Sequence, residues 1–193
     1  MSSAAQSSNN TLTIVHKFGG TSVADAERYR HVARLLLARD EYEQITVVSA
    51  MKGVTDALIE LCGLASRSRG EWRDKWHELR ARHRGAVVSL LGESSGPTLE
   101  WLDERFDKLA EILAALAVIG ELPSEVLDRV QGLGEVCSAR LLGDYLKSLG
   151  ANEVLGREAL STARPMESVR FGGGLDNVGG TMLSSLLAQT APY

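Results

Sequence analysis

Cysteine is nearly absent from this chain of 193 residues, which holds only Cys62 and Cys137. The two make neither a CxxC pair nor an evenly spaced framework, so they read as free thiols of a reducing compartment. Aromatic residues make up 5%, too few for the stacking platforms on which single-stranded nucleic acid is held. Neither sign of charge dominates. Lys and Arg number 21 against 25 Asp and Glu, for a net charge of −4, and no basic face stands out to attract nucleic acid. Long apolar runs are missing too. The stretch around Leu113 to Ile119 falls far short of the roughly 20 residues a membrane-spanning helix needs. Met1 to Asn10 is Ser, Ala, Gln and Asn after the methionine, without the charge and apolar stretch of a signal peptide. A cytoplasmic protein with neither a nucleic-acid nor a membrane partner is the expectation.

Several catalytic motifs are also lacking. There is no GxxxxGK[ST], and Gly132 and Gly134 have no third glycine to complete a dinucleotide fingerprint. His77-Glu78 is followed by Ala81 where a zinc hydrolase carries its second histidine. GxSxG is missing as well. No metal-ligand set is read from the sequence.

What is present suits one folded domain: 44% hydrophobic and 24% charged residues over 193 positions. Residues 1–10 are expected to be a disordered leader, because they bury nothing to offset ordering entropy. Leu12, Ile14 and Val15 begin a strand ending at His16-Lys17-Phe18, and Gly19-Gly20 breaks it, with Thr21-Ser22 placed to cap the next helix. Tyr29, Val32, Ala33, Leu36 and Leu37 line one face of that helix, over 24–39. Ile45 to Val48 reads as a second, buried strand. A helix from Val54 or Thr55 turns Leu58, Leu61, Cys62 and Ala65 inward. This βαβα order predicts a parallel sheet covered by helices. Two amphipathic helices come next with no strand between them. One carries Trp72, Trp76, Leu79, His83, Val87 and Leu90; the other carries Leu99, Leu102, Phe106, Leu109, Leu113 and Leu116. Gly92 to Pro97 separates them, so a helical hairpin is predicted. Ser124 is placed to cap a further stretch broken by Gly132 and Gly134, and a helix over 135–149 stops at Gly150. A strand over 151–155, a Gly-rich stretch over 170–180 and a short helix over 181–188 are the readings for the remainder.

Three stretches carry possible chemistry. In Lys17-Phe18-Gly19-Gly20-Thr21-Ser22 the glycines allow phosphate oxygens close to backbone N–H groups, and the lysine adds a full positive charge. An ordinary strand-to-helix turn with an exposed lysine explains the same residues equally well. Ser49 to Asp56 leaves the carboxyl end of the second strand, where open parallel sheets bind ligands. Thr55 alone reads as a helix cap. Glu135, with Ser138, opens a helix and by itself is an ordinary helix-start carboxylate.

Together the three stretches resemble the aspartate kinases of the amino-acid-kinase superfamily. Residues 17–23 read KFGGTSV, 47–61 read VVSAMKGVTDALIEL and 128–146 read DRVQGLGEVCSARLLGDYL, in the family's order and spacing. The resemblance covers about residues 13–162 and leans toward the bifunctional aspartokinases. It implies a three-layer α/β/α sandwich, here the N-terminal half with a helical hairpin inserted, followed by a divergent Gly-rich tail over 163–193. It further implies ATP-dependent phosphorylation of the L-aspartate β-carboxylate, with Mg2+ accompanying ATP, on the path to lysine, threonine and methionine. On that resemblance Lys17, Phe18, Gly19, Gly20, Thr21 and Ser22 surround the transferring phosphate, with Lys17 catalytic. Ser49, Thr55 and Glu135 line the aspartate site, and Glu135 suits the substrate ammonium. A homo-oligomer is expected. The residues from Arg164 onward do not read like the family's second, nucleotide-binding half. The competing expectation is therefore a non-catalytic remnant that oligomerises or binds a ligand, and the chain alone is expected to turn over poorly.

Overall fold

Alternate residues of the first strand meet alternate environments: Thr13, Val15 and Lys17 are exposed while Ile14, His16 and Phe18 are half-buried. One face of a sheet is thus turned toward the rest of the protein. The computed structural model describes residues 13–38, 43–67 and 70–151. Their order is β1 (Thr13–Phe18), α1 (Ala26–Leu37), β2 (Glu43–Val48), α2 (Val54–Arg67), α3 (Trp72–Leu91), α4 (Gly96–Ile119), α5 (Ser124–Gln131) and α6 (Leu133–Ser148). β1 and β2 are parallel neighbours, paired from Thr13↔Glu43 to Phe18↔Val48. The leader, the strand predicted over 151–155 apart from Ala151, and everything predicted beyond it lie outside the described residues.

The helical faces are those the periodicity predicts, with small corrections. Tyr29, Val32, Ala33 and Leu36 of α1 are buried, whereas Leu37 is half exposed at the helix end. Thr21 and Ser22 do not cap α1. Asp25 does, its carboxylate accepting from the Arg28 N–H at 2.9 Å, because the chain first makes a separate turn closed by Ser22 N–H on Gly19 O at 2.8 Å. Ser124 is likewise the first residue of α5, not its cap; Pro123 holds that position in an extended conformation. Gly134 does not break a helix either, since it lies inside α6.

α3 and α4 form the predicted hairpin around a single 3-10 turn, Gly92–Ser95. They pair in antiparallel register. Trp76 Nε1 donates to Phe106 O at 2.9 Å, and Arg80 and Arg84 share the Asp103 carboxylate further along. Those two guanidinium groups hold Asp103 below the usual carboxylate range, against the opposing effect of burial. His83, also turned into the hairpin, donates from Nδ1 to Leu79 O at 2.8 Å and lies beside the Phe106 ring. The core runs from Val48 and the α1 face through α2 to Phe106, Leu109 and Leu113 of α4. Fully burying a side chain such as Phe106 contributes roughly 1.5–3 kcal/mol. α6 lies against β2, α1, α3 and α4, which brings its first turn to the carboxyl end of the sheet.

Candidate functional site

Since Lys17 pairs with Val47 and Phe18 with Val48, both strands end at one level and their loops leave the same edge. One further ladder bond, Ser49 N–H to Phe18 O at 3.0 Å, carries the pairing past the last strand residue. Lys52 N–H then donates to Gly20 O at 3.1 Å, tying the second loop to the first. The glycine pair divides its roles here. A Cβ on Gly20 would stand 2.8 Å from Ala50 O, whereas one on Gly19 would meet nothing within 4 Å. The close approach at Gly20 is thus made by the protein's own loop, and the open backbone belongs to Gly19. Gly53, with φ of 78°, supplies the left-handed residue that turns the second loop into α2.

Glu135 reaches this loop from the other end of the chain. A Cβ on Gly134 would come within 2.7 Å of Ala50 Cβ and 2.9 Å of Val54 Cγ1, so only glycine lets α6 approach so closely. The neighbouring Glu135 then accepts from Ala50 N–H at 3.4 Å, a long bond. Burial pushes the Glu135 carboxyl above its ordinary value, and the N–H groups of Glu135 itself and of Ala50 only partly offset that. No cation among the described residues is paired with it. Thr55 stands half-buried in the first turn of α2, next to the Val54 that packs on Gly134. Ser49 and Ser22 are half-buried at the loop starts; Lys17 and Thr21 are exposed, and Phe18 packs its ring against the core. The fold therefore draws Gly20, Ser49, Thr55 and Glu135 around the Ala50 loop, while Lys17 stands at the edge of that group on the outer sheet face.

Sequence reasoning missed Arg82. This exposed α3 residue donates from Nη2 to Lys52 O at 2.9 Å and to Ala24 O at 3.3 Å. It borders a cleft of about 230 Å3 lined also by Asp25, Met51 and Gly85. An arginine on the polar side of an amphipathic helix looks like any solvated charge, so no local signal could have found it. Among the described residues no three His, Cys, Asp or Glu side chains gather as a metal site, and no helix is long and apolar enough to cross a membrane.

Comparison with known proteins bears on this arrangement. Residues 12–170 match the amino acid kinase family. The bifunctional aspartokinase/homoserine dehydrogenase 1 of Arabidopsis thaliana is 32% identical over 137 residues, covering 70% of this chain and 15% of that protein. The aspartokinase of Chlamydia trachomatis serovar D is 34% identical over 152 residues, covering 75% of this chain and 32% of that one. In fold, the chain is similar to Escherichia coli aspartokinase III in its complex with aspartate and ADP. The TM-score is 0.64 at 23% identity, over 73% of this chain and 30% of that chain. The chain thus spans well under half the length of each of these relatives.

Proposed function

The chain belongs to the amino acid kinase family, and from that premise we propose that it carries the aspartate-binding side of an aspartate kinase. The reaction is ATP-dependent phosphorylation of the L-aspartate β-carboxylate, in the formation of lysine, threonine and methionine. The observation that supports this most is the desolvated Glu135 carboxylate, which lacks a cation among the described residues at the carboxyl end of a parallel sheet. A ligand ammonium would supply that missing charge. The two E. coli aspartokinase III structures, with aspartate and ADP and with lysine and aspartate, support the choice of substrate class.

In this reading Glu135 receives the substrate α-ammonium, and the Ser49 and Thr55 hydroxyls hold its polar groups. The β-carboxylate attacks the γ-phosphorus of ATP; a new O–P bond forms, the bond to the bridging oxygen breaks, and ADP leaves. The nucleophile is already ionised at neutral pH, so no general base is required. The chain must instead align the reactants and neutralise charge. Lys17 supplies the full charge, and Gly19 the open backbone where phosphate oxygens approach, flanked by Phe18, Gly20, Thr21 and Ser22. Mg2+ would accompany the ATP phosphates, as such ions commonly do. The reading places the chain in the cytoplasm, where buried Cys62 and Cys137 stay as thiols, and includes self-association.

Calorimetric titration of the chain with L-aspartate and with succinate tests the substrate assignment. L-aspartate should bind with Kd below about 1 mM, near −4 kcal/mol, and succinate, lacking the ammonium, at least roughly ten-fold more weakly. Equal binding of the two, or none of L-aspartate, overturns the assignment. Trapping aspartyl phosphate with hydroxylamine in the presence of MgATP then separates turnover from ligand binding alone.

A further inference from the structure

We propose that Arg82 is a positioning residue, clamping the two loops of the site together from the helical hairpin. Three arginines sit two apart on α3. Arg80 and Arg84 both turn to Asp103 of α4 and serve the hairpin itself. Arg82 lies off the buried face of α3 and turns the other way, spanning Ala24 O in the β1–α1 loop and Lys52 O in the β2–α2 loop. Lys52 is thereby held on both sides, its N–H on Gly20 O and its C=O on the guanidinium. The loop carrying Ser49 and Ala50 is fixed between the glycine turn and the hairpin, and Ala50 is the residue whose N–H meets Glu135. Both bonds leave the one nitrogen Nη2, whose two N–H groups are fixed in the guanidinium plane, and a lysine ammonium on a flexible stem holds such a pair of carbonyls less firmly. The hairpin thus has a part in the site that its position between the second and third signature stretches does not reveal. The clamp rests on loop geometry; its consequence for aspartate rests on the proposed function.

The test uses the full chain with Arg82→Met, Arg82→Lys and, for comparison, Arg84→Met. Amide hydrogen exchange is read in the two loops, at Ser22 and Lys52, and in α4 at Leu109 and Leu113, alongside L-aspartate titration. Arg82→Met should speed loop exchange on the order of ten-fold, as loss of a charged hydrogen bond implies, and leave α4 unchanged. L-aspartate affinity should fall by a similar factor. Arg82→Lys should restore part of both, and Arg84→Met should change neither. Unchanged loop exchange in Arg82→Met, or a rise spread equally through α4, overturns the clamp. A wild-type chain that binds no L-aspartate overturns the functional reading instead, and the exchange measurement then decides the clamp by itself.

Discussion

Replacing Gly134 by alanine probes the contact on which the candidate site depends. The added Cβ would stand 2.7 Å from Ala50 Cβ and 2.9 Å from Val54 Cγ1, well inside the roughly 3.5–4.0 Å at which carbon atoms rest. Ala50 has no rotamer to yield, and Val54 opens α2, so α6 or the loop must move. Overpacking of this kind costs about 1–3 kcal/mol. Alanine in a helix offsets at most about 1 kcal/mol relative to glycine, and less in the first turn, where Gly134 lies. The same change at Gly85, inside α3, meets nothing within 4 Å and should stabilise by up to about 1 kcal/mol. Urea denaturation should therefore separate the two variants by about 1–3 kcal/mol, with Gly134→Ala the weaker. L-aspartate affinity should fall in Gly134→Ala as Glu135 is carried away from Ala50 N–H, and stay unchanged in Gly85→Ala. If Gly134→Ala proves as stable as Gly85→Ala and binds L-aspartate like wild type, the tight approach of α6 to the loop is refuted.

Lys17 is exposed at the end of β1, so Lys17→Ala should leave the melting temperature unchanged. In a complete aspartate kinase carrying this sequence, aspartyl phosphate formation, read by hydroxylamine trapping, should drop on the order of 10²-fold; a loss of only a few-fold contradicts its phosphoryl-transfer role. Glu135→Gln should weaken L-aspartate by the lower part of the about 2–5 kcal/mol range for a partly buried charge pair, with nucleotide affinity unchanged. Equal weakening of both ligands in calorimetry would mark Glu135 as structural. Burial lowers the His83 pKa from 6.5 to about 4, despite its bond to Leu79 O. The unfolded chain therefore takes up this proton first as pH falls. The contribution is intact above about pH 6.5 and is lost progressively down to about pH 4, by up to about 3 kcal/mol at about 1.4 kcal/mol per pH unit. Urea denaturation at pH 7, 5.5 and 4.5 should show that loss in wild type and a smaller one in His83→Gln, and equal slopes would count against it.

The sequence by itself determined whatever depends on neighbours a few residues apart. Apolar spacing of three and four along the chain marked the buried faces of α1 to α4, and the alternation of strand and helix marked the parallel pair. Gly19-Gly20, Ser49, Thr55 and Glu135 were legible as motif residues, yet spacing alone left each with a structural explanation as good as the functional one. Tertiary structure decided what lies between distant positions. Glu135 meets Ala50 across 85 residues, Gly134 owes its identity to the Ala50 and Val54 side chains, and Arg82 holds loops 58 and 30 residues away. It also moved the α1 cap from Thr21-Ser22 to Asp25, because the glycines close a turn of their own before the helix starts. Periodicity reports only which face of an element is buried. Which atoms that face then meets is set by how the helices stack on the sheet, a long-range packing outcome with no local pattern to announce it.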